Sequence, residues 1–179
     1  REIERGERKA VGEELEREMF LLAADRLTSA GYEHYEVSSH GRPGHRSRHN
    51  EAYWNQDDYF GVGPAACSTL GCLRYVNVRD LEAYVRGVEA TGAPPREEEH
   101  LTALNRLNEH LLLRLRTRYG LSLTGFRQRS GMLLEEYSHG GLKRMLDWGF
   151  LDVSGDTVRL TREGLCVADR VIAELLRMA

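Results

Sequence analysis

The chain has 179 residues, enough for one ordinary domain or two small ones. Its apolar content of 41% and charged content of 30% are those of a globular protein in water, and no apolar run reaches the length of a membrane span. The net charge of −3 gives no overall field that would attract nucleic acid. Without a signal-peptide pattern at its N-terminus, the chain is expected in the cytoplasm.

The first residue is arginine rather than methionine, so the sequence is expected to be part of a longer one. Three cysteines, Cys67, Cys72 and Cys166, are too few and too widely spaced for a disulfide framework. They also lack the spacing that holds a four-iron cluster, and each is expected to serve as a small buried apolar residue.

The N-terminal part alternates helix and strand patterns. A helix is predicted over Glu13–Ala30, with Leu15, Met19 and Leu22 among its apolar positions, and Gly31 ends it. Alternating residues over Tyr32–Ser38 predict a strand. A helix, a glycine and a strand are the half-unit of an α/β barrel or a doubly wound sheet.

Residues 39–72 form a long segment without clear periodicity, in which aromatic side chains argue against disorder. Asp80 is expected to cap a helix over Leu81–Ala90. The sequence TGAPPREEE, residues 91–99, is interpreted as an interdomain linker.

The C-terminal part has a different texture. Leucines from Leu101 to Leu115 predict a long helix, and shorter helices are expected within residues 121–130 and 137–148. Two strands joined by Ser154-Gly155-Asp156 predict a hairpin, and Thr161 caps a final helix. This order predicts a winged-helix-like module.

The segment around residues 45–68 carries the densest chemistry. His49 offers an imidazole suited to haem iron, and Tyr53 and Trp54 offer flat faces suited to a porphyrin. Arg46 and Arg48 could pair with propionates, and the glycines of Gly61-Val62-Gly63 would allow close backbone approach. On these residues alone, a purely structural aromatic loop is the preferred alternative.

The sequence offers two other kinds of site, a zinc site and a nucleic-acid-binding surface. The histidines at 34, 40, 45 and 49 suggest zinc, but their spacing is irregular and Pro43-Gly44 opposes a helix that would align them. Nucleic-acid binding by the winged-helix-like part would use four cations that acidic residues interrupt, so a solvated face is favoured: Arg127, Arg129, Lys143 and Arg144.

The run YEVSSHGRPGHRSRHNEAYWNQDDYFGVGPAACS resembles the corresponding stretch of HemW-type radical-SAM haem chaperones, a group within the oxygen-independent coproporphyrinogen III oxidase-like family. The most specific element is H-N-x-x-Y-W, from His49 to Trp54. The similarity covers essentially the whole chain. It continues at Arg74-Tyr75-x-Asn77 and at Gly149-Phe150-Leu151, which leads into the predicted hairpin.

The resemblance implies the C-terminal remnant of a partial (β/α) radical-SAM barrel, α/β in class, followed by an α+β winged-helix-like HemN C-terminal domain. The implied division is residues 1–90, a linker at 91–99, and residues 100–179. It implies that His49 ligates haem iron, that Asn50, Tyr53 and Trp54 shape the haem site, and that Gly41 lines the S-adenosylmethionine pocket.

The implied function is haem binding within a chaperone that delivers haem to acceptor proteins, membrane-bound ones included, which would place it peripherally at a membrane through a partner. S-adenosylmethionine and a 4Fe–4S cluster belong to the full-length parent, whose N-terminal half carries the cluster ligands. The fragment itself has no assigned catalytic residue. A coproporphyrinogen oxidase remains the enzymatic alternative, and no nucleic-acid partner is expected.

The sequence departs from the family pattern at one notable position. Ala65-Ala66-Cys67 stands where the family has Gly-Ala-His. Because a thiolate can also ligate haem, Cys67 is retained as a second haem-binding residue.

Overall fold

The computed structural model describes residues 5–6, 9 and 11–177. The ends of the two predicted domains, at residues 1–4 and 178–179, lie outside the described residues, as do residues 7–8 and 10. None of the described helices is long and apolar enough to cross a membrane.

The N-terminal part begins with helix α1 (Glu13–Ser29), followed by the antiparallel strands β1 (Glu33–Glu36) and β2 (Ser39–Gly41). Gly31 adopts a φ of +83°, which an L-residue rarely accepts, and so ends the helix as predicted. The apolar positions expected to face a core are instead exposed, with Leu15, Met19 and Leu22 each more than half accessible.

A short helix, α2 (Arg48–Trp54), lies within the segment that had shown no periodicity. Two strands follow, β3 (Cys67–Leu70) and β4 (Leu73–Asn77), and then helix α3 (Leu81–Thr91). The carboxylate of Asp80 accepts a hydrogen bond from the Ala83 N–H at 2.8 Å, which confirms the predicted cap.

The segment 91–99 is only partly a linker. Strand β5 (Arg96–His100) pairs antiparallel with β4 along its whole length, from Leu73 opposite His100 to Asn77 opposite Arg96. Interpreting residues 96–99 as linker was therefore wrong, because a partner strand overrides their poor intrinsic strand preference. The division of the chain at this segment remains a prediction.

The C-terminal part contains the predicted hairpin and long helix, but the single predicted final helix is two short helices. Helix α4 (Ala103–Leu115) is followed by β6 (Leu121–Ser122), α5 (Leu123–Ser130), α6 (Leu134–Tyr137) and α7 (Gly141–Asp147). The hairpin strands β7 (Leu151–Ser154) and β8 (Thr157–Leu160) form a three-stranded sheet in the order β6-β8-β7. Two short helices close it, α8 (Arg162–Cys166) and α9 (Ala168–Ala173).

The main apolar core lies in this C-terminal part. Leu111 and Leu115 of α4 pack with Phe126, Tyr137 and Met145 from the following helices, and all are essentially inaccessible. The predicted helix over residues 137–148 is shorter, α7 (Gly141–Asp147), and begins after Gly140, whose φ is +80°. Residues 134–137 form a separate short helix, α6.

The two parts are joined by backbone as well as side chains. The Val37 N–H donates to the Arg116 carbonyl at 3.0 Å, and the Arg118 N–H donates to the Tyr35 carbonyl at 3.1 Å. The residues after α4 therefore run along β1. This contact holds the N-terminal hairpin against the C-terminal core and fixes the surroundings of α2.

Candidate functional site

Helix α2 carries all six residues of the H-N-x-x-Y-W motif. Its N-terminus is capped by Ser47, whose hydroxyl accepts from the Asn50 N–H at 3.2 Å. The Ser47 N–H in turn lies 3.5 Å from the Tyr35 hydroxyl of β1. The motif therefore lies on a short helix that begins at Arg48, and the Ser47 cap fixes its first turn.

His49 lies at the exposed surface of α2. Its ring contacts that of Tyr53 edge to face, with centroids 4.7 Å apart, as expected for residues four apart on a helix. Tyr53 in turn contacts Tyr59 in the same geometry at 4.6 Å. One side of the motif is thus an accessible imidazole backed by two tyrosine rings.

Trp54 and Glu51 lie on another side of α2, because residues on a helix are separated by about 100° each. Together with Tyr35, Arg114 and Tyr119 they line a cleft of about 370 Å³ between α2 and the end of α4. The Glu51 carboxylate accepts from the Tyr119 hydroxyl at 3.2 Å. The motif is thus divided between an exposed side, with His49 and Tyr53, and a cleft side, with Trp54.

Polar contacts fasten α2 to the C-terminal part. Arg114 donates from Nη1 to the Asn55 Oδ1 at 3.1 Å, and the Gln56 side-chain amide donates to the Arg106 carbonyl at 3.1 Å. These contacts come from residues 50 or more positions away in the chain. Sequence spacing held no signal for them, so Arg114 and Tyr119 were missed.

Arg46, which the sequence suggested as a propionate partner, is already paired. Its guanidinium lies 2.6 Å from a carboxylate oxygen of Glu33 and 3.6 Å from one of Glu51. The same contact lowers the pKa of Glu33, with Arg46 hydrogen bonding as the main cause. Arg46 therefore braces α2 against β1.

Cys67 begins β3 and is partly buried, with its Sγ 3.8 Å from the Tyr59 hydroxyl. Burial, the first cause, raises the pKa of Tyr59. The contacts run from His49 through the rings of Tyr53 and Tyr59 to Cys67, so two tyrosines lie along the path between the imidazole and the thiol. Of the two side chains, His49 is the more accessible.

The glycines near the motif are accounted for by packing within the chain. A Cβ on Gly61 would lie 2.2 Å from the Cys67 carbonyl oxygen, and one on Gly41 would lie 3.1 Å from that of His45. Gly41 is buried beside Tyr35. The Cβ side of Gly41 is thus filled by other residues of the chain, and its place in an S-adenosylmethionine pocket remains a prediction.

The cysteines and histidines do not fit a metal cluster. Cys72 is exposed and the other two cysteines are only partly buried, so the expectation of three buried apolar cysteines was wrong. Among the residues that the structure describes, no three histidine, cysteine or acidic side chains converge on one point. His34 and His40 instead stack on each other, with ring centroids 4.1 Å apart. Neither a 4Fe–4S cluster nor a zinc ion fits the arrangement of these described residues.

Residues 101–167 match the HemN C-terminal domain family. Over nearly its whole length the chain is similar to proteins named heme chaperone HemW. It is 28% identical to the heme chaperone HemW of Bacillus subtilis over 97% of its length, and 34% identical to that of Mycobacterium tuberculosis over 98%. It covers 46% and 43% of those proteins, so it spans less than half the length of the curated relatives it matches.

A mitochondrial relative and a solved structure extend this result. The chain is 30% identical to the radical S-adenosyl methionine domain-containing protein 1 of Bos taurus over 98% of its length, covering 42% of that protein. It superposes on the radical-SAM coproporphyrinogen III oxidase HemN of Escherichia coli with a TM-score of 0.68, over 87% of this chain and 39% of that one, at 18% identity. The likeness confirms the predicted fold class.

Proposed function

We propose that this chain is the haem-binding part of a haem chaperone that delivers haem to acceptor proteins, with His49 as the ligand to the iron. The observation that carries the proposal is the exposed imidazole of His49 on a capped helix, with Tyr53 in ring contact beside it. A neutral imidazole ligates haem iron well, and a tyrosine ring offers a flat apolar face to a porphyrin. Relatives named heme chaperone HemW that match nearly the whole chain support the same conclusion.

The other motif residues take supporting roles in this proposal. Tyr53 would flank the porphyrin, and Asn50, on the first turn of α2, would shape the edge of the site. Trp54 lies on the cleft side and would position α2 rather than touch the iron-bound face. Cys67 is partly buried, with its Sγ 3.8 Å from the Tyr59 hydroxyl, and would be the less accessible ligand of the two.

A haem titration tests the assignment of His49. Wild-type chain is expected to give a saturable Soret shift that His49→Ala removes or displaces. His100→Ala is the matched control, because His100 is exposed on β5, away from α2. Equal Soret titrations for the wild type and His49→Ala would refute the assignment.

Delivery to an acceptor is a separate part of the proposal. Chain loaded with haem is expected to lose its Soret band to an apo-haem protein added in excess, at a rate that rises with the acceptor concentration. Passive dissociation would instead give a rate independent of that concentration. S-adenosylmethionine and the 4Fe–4S cluster would belong to the full-length parent, in keeping with relatives named radical S-adenosyl methionine domain-containing protein 1. Turnover of coproporphyrinogen by that parent would instead favour the oxidase alternative.

Nucleic-acid binding gains no support from the winged-helix-like part. Lys143 pairs with Asp147 at 2.6 Å, and Arg144 pairs with Glu174 at 2.9 Å. Two of the four cations that could contact phosphate are thus neutralised within the chain. A solvated, ion-paired surface accounts for them.

A further inference from the structure

Helix α2 is too short to be stable on its own. It has seven residues, whereas isolated helices of fewer than about 12 residues are marginal in water. The direction of the His49 imidazole therefore depends on the contacts that fasten α2 to the rest of the chain. Asn55 and Gln56 fasten the C-terminal end to α4. Because His49 lies on the first turn, the contacts of the N-terminal end determine where its imidazole lies.

Arg46, two residues before α2, makes such contacts at the N-terminal end. Its guanidinium donates to one carboxylate oxygen of Glu33, from Nη2 at 2.6 Å and from Nε at 3.1 Å. The Nη1 atom lies 3.6 Å from a carboxylate oxygen of Glu51. Glu33 belongs to β1 and Glu51 to the first turn of α2. One side chain thus joins the hairpin to the helix turn that carries His49.

These contacts are partly shielded from water. The exposed fractions of the side chains are 23% for Arg46, 28% for Glu33 and 31% for Glu51. The Arg46 guanidinium also lies 5.3 Å from the centre of the Tyr119 ring. With Nε and both terminal nitrogens facing carboxylates of the chain, Arg46 could pair with a propionate only by giving up one of these contacts.

We propose that Arg46 is a positioning residue for haem, which fixes the first turn of α2, and so the His49 imidazole, without touching the ligand. This rests on the proposed function, because it takes His49 as the ligand to the iron. The proposal replaces the propionate contact that the sequence suggested for Arg46 with an indirect role. Glu33 shares that role, since its own negative charge cannot pair with a propionate but its loss would release Arg46.

Two ligands distinguish positioning from direct contact. Haem dimethyl ester keeps the iron of haem but has no free propionate. Arg46→Gln is expected to weaken binding of both ligands by the same factor, about threefold to tenfold for the loss of one partly buried ion pair. Glu33→Gln should do the same, and Arg46→Lys, which keeps the charge, should recover part of the affinity. A loss for haem alone would show a propionate contact and overturn the proposal, and so would an unchanged affinity for both ligands.

A positioning role also predicts that Arg46 acts through His49 alone. In the His49→Ala background, Arg46→Gln should cause no further loss of haem affinity. Arg162→Gln is the matched control, because Arg162 likewise donates two hydrogen bonds to one carboxylate, that of Asp25 in α1, at 2.6 and 2.7 Å. The control should bind haem as the wild type does. An equal loss in Arg162→Gln would indicate general destabilisation and overturn the proposal.

Hydrogen exchange without haem separates a failure of this proposal from a failure of the proposed function. The Asn50 N–H donates to the Ser47 hydroxyl at 3.2 Å, and the Glu51 N–H donates to the Ser47 carbonyl at 2.9 Å. Arg46→Gln should raise the exchange rates of these two amides. If His49→Ala binds haem like the wild type, the ligand assignment fails, and the exchange rates alone decide whether Arg46 fixes the helix. Unchanged rates at both amides would overturn the positioning role.

Discussion

Arg74 of β4 and Glu109 of α4 form an ion pair of 2.7 Å that connects the N-terminal sheet to the C-terminal core. Both side chains are mostly buried, with 29% and 24% of their surfaces exposed. Glu99 lies 3.9 Å from Arg74, and Arg106 lies 3.9 Å from Glu109. Opposite charges therefore alternate across this junction between the two parts.

Replacing Glu109 with glutamine should lower the free energy of unfolding by about 1–2 kcal/mol. The change leaves Arg74 partly buried with only the more distant Glu99, and partly buried pairs contribute more than exposed ones. Urea unfolding followed by circular dichroism measures the effect. Glu82→Gln is the control, since its pair with Arg86 is exposed and should contribute almost nothing. Equal midpoints for the two variants would show that the junction pair is not stabilising.

Gly120→Ala should destabilise the chain by about 2–5 kcal/mol. Gly120 has a φ of +70°, and an added Cβ would lie 2.3 Å from the Val158 carbonyl of β8, so both strain and overlap oppose alanine. Gly149 has a similar φ of +74° but open space around it. Gly149→Ala should therefore lose only about 1–2 kcal/mol, and thermal unfolding of both variants compares strain alone with strain plus overlap.

Phe126→Ala should lower the free energy of unfolding by about 3–5 kcal/mol. The Phe126 side chain is fully buried and contacts Tyr137 edge to face at 5.1 Å, so its removal leaves a cavity at the centre of the core. Val153→Ala on the exposed side of β7 should lose less than about 1 kcal/mol. A small effect at Phe126 would mean that the core collapses around the vacancy.

Stability should fall on acidification from about pH 6.5 towards pH 4. Burial, followed by the positive charges of Arg129, Arg114 and Arg106, lowers the pKa of His110 to about 4. In that window the unfolded chain binds a proton that the folded chain does not, so the folded state loses free energy as the pH falls. The expected loss is about 1–3 kcal/mol.

His110→Gln should reduce this dependence on pH, as measured by urea midpoints at pH 7, 6 and 5. Burial also lowers the pKa of His40, so His40→Gln should reduce it separately. An unchanged slope in His110→Gln would contradict the role of His110. At pH 7 both histidines are neutral, so any change in the free energy of unfolding of these variants at that pH reflects altered packing alone.

The local signals in the sequence were sufficient for most helices and turns. Gly31 and Asp80 predicted a helix end and a helix start because a positive φ and a side-chain cap depend on neighbouring residues alone. The hairpin at Ser154-Gly155-Asp156 was predicted for the same reason, and β7 and β8 flank it. Each of these features is determined by residues within a few positions of it in the sequence.

Contacts between distant residues were not predictable in this way. Strand β5 exists because β4 lies beside it, although Glu97, Glu98 and Glu99 have little strand preference of their own. The amphipathic pattern of α1 correctly gave a helix, but the described residues leave its Leu15 and Met19 exposed. Periodicity predicts that a face is apolar and not what covers it.

The candidate site shows the same division. The H-N-x-x-Y-W motif was recognisable by resemblance, and its helix is local. The Arg114 and Tyr119 side chains that enclose its cleft side come from 59 and 68 residues beyond their partners, with no motif to mark them. Only folding brings them to Asn55 and Glu51.

Only Leu101 and Thr102 separate the end of β5 from the start of α4, so the connection between the two parts is short. The Leu101 N–H donates to the Cys72 carbonyl at 2.8 Å, and α4 begins at Ala103 immediately after its Thr102 cap. Moving α4 away from the sheet would have to break the Arg74–Glu109 ion pair, because only these two residues separate β5 from α4. We therefore expect the sheet and α4 to move together rather than independently.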